Sequence, residues 1–67
     1  MKKVYIINMA GDRLVTAFSS LKLARDYAEH FAVKKHHAVS IEWLNEYNAK
    51  WGDSDDQRFG IEEYWII

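Results

Sequence analysis

The sequence predicts an α+β fold in the order ββααβ, a small three-stranded antiparallel sheet with helices on one face. Three observations lead there. A Val/Ile-rich stretch and an alternating one, Leu14 to Phe18, flank a glycine turn near the N-terminus, an apolar stripe at helical spacing follows a pair of serines, and an aromatic, β-branched stretch closes the chain.

Lys3 to Met9 is rich in Val, Ile and Tyr and reads as a strand. Val4 and Ile6 make one of its faces apolar, Tyr5 and Ile7 the other, which suits a central strand rather than an edge. Ala10-Gly11-Asp12-Arg13 is a turn, with Gly11 free to take a positive φ. Leu14 to Phe18 alternates as the second strand of an antiparallel hairpin. Ser19-Ser20 then supplies a helix N-cap, because a serine hydroxyl accepts a bond from a free backbone N–H of the first turn. The helix is expected from Leu21 to about Val33. Leu21, Ala24, Tyr27, Ala28, Phe31 and Ala32 form its apolar stripe, and Arg25 and Glu29 are spaced to pair on the polar side. The basic run Lys34-Lys35-His36-His37 suits the negative end of its dipole.

Val39 to Trp51 carries two signals. Val39, Ile41 and Trp43 alternate as in a strand, whereas Ile41, Leu44, Tyr47, Asn48 and Trp51 follow a helical period. Ser40 as a cap and the polar run Asn45 to Lys50 favour a second helix, ended by Gly52. Asp53 to Gln57 is an acidic loop. Phe59 to Ile67 is the last strand, and its apolar ending predicts pairing into the sheet.

The chain has 67 residues, no cysteine and no proline. Such a length supports one domain, residues 1–67, with a small core that no disulfide can staple. Folds of this size draw on a metal, a partner or close packing. Aromatic residues, 15% of the chain, are the available material here. Val4 to Met9 is too short for a signal-peptide core, and no run approaches a membrane span. The expectation is a complete cytoplasmic protein with no membrane partner. Charge is uneven: residues 1–40 carry a balance of +4 and residues 41–67 one of −5. Such a split can steer a partner or let the two halves face each other.

Some of these stretches resemble a loose group of small uncharacterised proteins of phages and bacterial genomes. The residues that carry the resemblance are Lys3-Val4-Tyr5-Ile6-Ile7, Gly11-Asp12, Phe18-Ser19-Ser20, Ala24 through Ala28, and Ile61-Glu62-Glu63-Tyr64. His36 to Asp56 and the ending Trp65-Ile66-Ile67 depart from it. The resemblance implies the fold and a phage or mobile-element origin. It carries no activity and no functional residue.

The chemistry-bearing residues point away from catalysis. The three glycines are scattered, so no phosphate-cradling loop exists. Without cysteine there is no thiol nucleophile or thiolate zinc site. Asp26 and His30 could face one metal from a single helix turn, yet a structural zinc site takes four ligands, and no cofactor or metal is expected. Asp53, Asp55 and Asp56 lack the glycine and terminal glutamate of a calcium loop. Glu62 and Glu63 are adjacent, so on a strand they point to opposite faces and cannot form a catalytic pair. A pI near 6.3 is below the profile of nucleic-acid-binding domains, despite Lys2, Lys3, Arg13, Lys34 and Lys35.

The aromatic residues remain. Trp43, Tyr47, Trp51, Phe59, Tyr64 and Trp65 crowd the last third of a chain too small to bury them all beside Tyr5, Phe18, Tyr27 and Phe31. Exposed aromatic patches mark contact sites. The expected function is therefore a non-catalytic interaction module that self-associates or binds a protein, through Trp43, Tyr47, Trp51 and Trp65. The alternative is a small-ligand, nucleotide-like binding or sequestering protein with aromatic walls between protomers.

Overall fold

The computed structural model describes residues 2–66. Strands β1 (Lys2–Met9) and β2 (Asp12–Phe18) form the expected hairpin. Its tight turn places Ala10 at φ 52° and Gly11 at φ 89°. Two successive positive φ values give the turn a backbone twist that matches the flanking strands. The register jumps between Ile6 and Asn8, so Leu14 to Thr16 stand against Ile7 alone and Val15 points fully into solvent. Such a bulge bends the outer strand.

Helix α1 (Leu21–His36) starts where the serines place it, with Ser20 Oγ accepting from the Leu23 N–H at 3.1 Å. It runs one turn past Val33 and ends at His37, whose φ of 54° turns its N–H back to the Ala32 carbonyl. Ala38 N–H reaches the same oxygen at 3.1 Å. Ala24, Ala28 and Ala32 are wholly buried and let the helix lie close on the sheet, while Leu21 and Phe31 pack at its margins. The Arg25–Glu29 pair gives way to two other contacts. Lys22 pairs with Asp26 at 2.9 Å, and the Arg25 guanidinium lies 4.2 Å from the centre of the Trp43 ring.

The expected ββααβ order and three-stranded sheet are wrong. The sheet has five strands, all antiparallel, in the order β2-β1-β5-β4-β3, and α1 is the one helix among the described residues. Residues 39–51 form a hairpin of two short strands, β3 (Glu42–Trp43) and β4 (Asn48–Lys50). Asparagine decides this segment. Asn45 Oδ1 accepts from the Tyr47 N–H at 2.8 Å, the Asn48 N–H at 3.0 Å and the Asn48 amide at 3.2 Å, folding the chain back on itself. Local side-chain bonding of this kind competes with a helix. Ser40 caps nothing and sits at φ 57°, and Gly52 follows a strand instead of ending a helix.

β5 (Arg58–Ile66) is the longest strand and lies mid-sheet, between β1 and β4. β1 is interior, as its apolar faces predict, and β5 pairs with it from Met9↔Phe59 to Lys2↔Ile66. The expectation for Ile67 lies outside the described residues. Ile7, Met9, Phe59, Ile61 and Ala49 face the helix and, with its alanine stripe and Ala38, make up the core. Two of the five ion pairs among the described residues, Lys3–Glu63 and Arg13–Glu62, join the basic and acidic halves. The charge split is therefore partly internal. No described helix is long and apolar enough to cross a membrane.

Two substitutions test this packing by chemical denaturation. Ser20→Ala should cost about 1 kcal/mol through the lost cap. Ala28→Leu should cost about 1–3 kcal/mol, because no space separates the helix from the sheet there.

Candidate interaction site

Register assigns the side chains of the β1·β5 ribbon to two faces. Lys3, Tyr5, Ile7 and Met9 of β1 share the helix-side face with Trp65, Glu63, Ile61 and Phe59 of β5. Lys2, Val4, Ile6 and Asn8 share the opposite face with Ile66, Tyr64, Glu62 and Gly60. The two glutamates do point to opposite faces.

The four aromatic residues singled out from the sequence fall into two groups. Trp43 meets Phe59 edge-on at 5.1 Å between ring centres, and Trp51 lies 6.2 Å from Phe59 and 5.7 Å from His36. Both are half-buried against the core. Tyr47 is also half-buried, but its hydroxyl donates to Glu63 Oε2 at 3.2 Å. Trp65 is 58% exposed. Lys3 ties these last two together: its Nζ lies 3.6 Å from the Glu63 carboxylate and 4.5 Å from the centre of the Trp65 ring. Tyr47, Glu63, Lys3 and Trp65 thus form one continuous row.

On the opposite face, Glu62 gathers three donors. The Asn8 amide and the Tyr64 hydroxyl both bond its carboxylate, and Arg13 reaches it at 3.1 Å and Tyr64 Oη at 3.2 Å. The bond from Tyr64, then that from Asn8, holds the Glu62 carboxyl below the ordinary carboxylate range. Bonding to the carboxylates raises both tyrosines above the usual phenol range, Tyr64 through Glu62 and Tyr47 through Glu63.

The distal part of this ribbon is thinly covered. β4 pairs with β5 only from Arg58 to Gly60, and Ile61 N–H adds a bond to the Tyr47 carbonyl at 2.7 Å. Among the described residues no strand pairs with Glu62–Ile66 on the side away from β1. Tyr64, Trp65 and Ile66 are all exposed there. Sequence reasoning found Trp65 through the aromatic surplus but missed Lys3 and Glu63 beside it on one face, and Glu62 and Tyr64 on the other. The signal was register: pairing the apolar ends Ile7 and Ile61 brings Lys3 opposite Trp65.

Other surfaces offer less. A shallow cleft of about 200 Å³ is lined by Ser40, Glu42, Lys50, Trp51, Gly52 and Asp53, and a larger open concavity of about 430 Å³ by Lys22, Arg25, Asp26 and Glu29 of α1. Small-molecule sites usually enclose roughly 300–1,000 Å³ behind mostly apolar walls, whereas the larger concavity is lined by charged side chains alone. Among the described residues no group of three His, Asp or Glu side chains converges as a metal site. No known protein family, curated protein or solved structure matches this chain.

The Glu62 cluster has a readable pH dependence. Its depressed carboxyl contributes stability in full above the ordinary carboxylate pKa of about 4.3 and loses it as pH falls through the lower folded value. Urea unfolding across this acid range should therefore decline less steeply in Glu62→Gln than in the wild-type chain.

Proposed function

We propose that this chain is a small non-catalytic interaction module that docks a protein, or a second copy of itself, through the distal end of its β1·β5 ribbon. The carrying observation is the coincidence at one place of an unpaired strand edge and exposed Tyr64, Trp65 and Ile66. Surface strands with open backbone groups are ready templates for another chain, and aromatic anchors supply the contact energy.

The titration directions make Glu62 and Tyr64 poor acid–base catalysts. Glu62 is pushed down and Tyr64 up, away from neutrality, whereas a general acid or base works best near the operating pH. A nucleotide-like ligand is poorly served by either concavity: the shallow cleft holds Glu42 and Asp53 beside the lone cation Lys50, and the one on α1 sets Asp26 and Glu29 beside Lys22 and Arg25. Trp43 and Trp51 pack on Phe59 at the opposite end of β5, and Tyr47 bonds Glu63 beside the docking end, so of the four expected aromatic residues Trp65 makes the contact. A phage or mobile-element accessory role, as the resemblance implies, is compatible with such a module.

The test is whether the immobilised chain retains a protein, itself included, and whether light scattering finds association in solution. The double variant Trp65→Ser/Ile66→Ser should abolish both with an unchanged circular dichroism spectrum. A chain that stays monomeric and retains nothing would overturn the proposal.

A further inference from the structure

Resting on that reading, we infer that the occupant of the open edge is a second copy of this chain, paired antiparallel along β5 about a two-fold axis through Tyr64. The inference begins with backbone direction. Arg58 C=O accepts from Ala10 N–H on the β1 side, whereas Gln57 C=O accepts from Trp51 N–H, and Ile61 N–H donates to Tyr47, on the β4 side. Backbone groups alternate sides along a strand. Glu63 and Trp65 therefore turn their N–H and C=O outward, toward the side where no described strand lies.

These groups are self-complementary. With Tyr64 facing Tyr64 across the axis, Glu63 of each copy stands opposite Trp65 of the other. Both residues then exchange N–H and C=O, giving four bonds. The tyrosines form a close non-hydrogen-bonded pair with Cα atoms about 4.5 Å apart, and such aromatic pairs are favourable across strands. Neighbouring registers are worse. Centring on Glu63 sets two carboxylates face to face, and centring on Trp65 brings the two Lys3–Trp65 pairs together, cation toward cation.

Charge complementarity follows in the Tyr64 register. Lys3 is in register with Trp65, so the helix-side row reads Lys3, Trp65, then Glu63 of the second copy. On the other face Lys2 is in register with Ile66, and the row reads Lys2, Ile66, then Glu62 of the second copy. Each acidic residue meets a row that begins with a lysine.

The remaining edges carry the usual protections against pairing. β2 has its bulge and Arg13, β3 is two residues long, and the open part of β1 holds Lys2 and Lys3. The free part of β5 has neither lysine nor bulge and exposes aromatic and aliphatic side chains instead. An isolated two-stranded ribbon is marginal in water. Pairing converts two such ribbons into four continuous strands.

The chain lacks cysteine, so a single one can report the axis. A Tyr64→Cys variant should form an interchain disulfide under mild oxidation, because facing Cα atoms about 4.5 Å apart lie within disulfide range. Val15→Cys, equally exposed on the bulge of β2, should not exceed random collision. Light scattering of the wild-type chain, up to about 1 mM to reach a weak dimer, should give twice the monomer mass. Trp65→Pro removes an outward N–H while sparing the β1 ladder, and should weaken that dimer more than about tenfold with unchanged circular dichroism. A dimer in which Tyr64→Cys cross-links no better than Val15→Cys, or which survives Trp65→Pro, would overturn the edge pairing while leaving an interaction module. A wild-type chain that stays monomeric throughout would also overturn it, and retention of a different protein would then name another occupant for the edge.

Discussion

The structure depends on the zipping of its two ends. β1 and β5 are paired along eight matched positions, from Met9↔Phe59 to Lys2↔Ile66; β2, β4 and α1 attach to that ladder, and β3 is joined through β4. β2 joins one side through a tight turn, β4 joins the other for three residues, and α1 rests on the face the two strands create. Closing this ladder joins residues nearly a whole chain apart. That loop closure must come before most of the core contacts can form, so the topology favours slower folding than a helical chain of this length.

Phe59 concentrates what the ladder makes possible. It is buried in the core, with Trp43 edge-on and Trp51 tilted beside it. The wholly buried helix positions are all alanine, so much of the bulk comes from rings at the margin. Arg25 extends this arrangement by lying over Trp43, its aliphatic stem adding cover while its charge meets the ring face. These rings consume a large part of the aromatic surplus. Of the rings left exposed, Tyr64 and Trp65 lie at the far end of the ribbon and Tyr27 stands on α1.

Four of the six elements were legible as local patterns. The Gly11 turn, the Ser20 cap, the alanine–aromatic stripe and the β-branched ending each have a mechanism that acts within a few residues. The segment from Val39 to Trp51 was not, because its two periods compete and its strands are too short for alternation to decide. The bond acceptor at Asn45 settled it, and a pair of asparagines three apart is a turn signal that the helical period masked. With that segment misread, the sheet was two strands short. The surface around Trp65 was half legible. Excess rings could be counted, but its partners Lys3 and Glu63 lie far apart in sequence and meet only once the register is set.

Three bends carry side chains ill-suited to them. Ala10, His37 and Ser40 all occupy the left-handed region, where glycine or asparagine is at ease. A chain this short has little reserve against such costs. Anything that grips the folded form therefore deepens its well by mass action. If the chain docks a partner as proposed, its abundance and longevity in the cell follow the supply of that partner, with unattached copies the first to meet proteases.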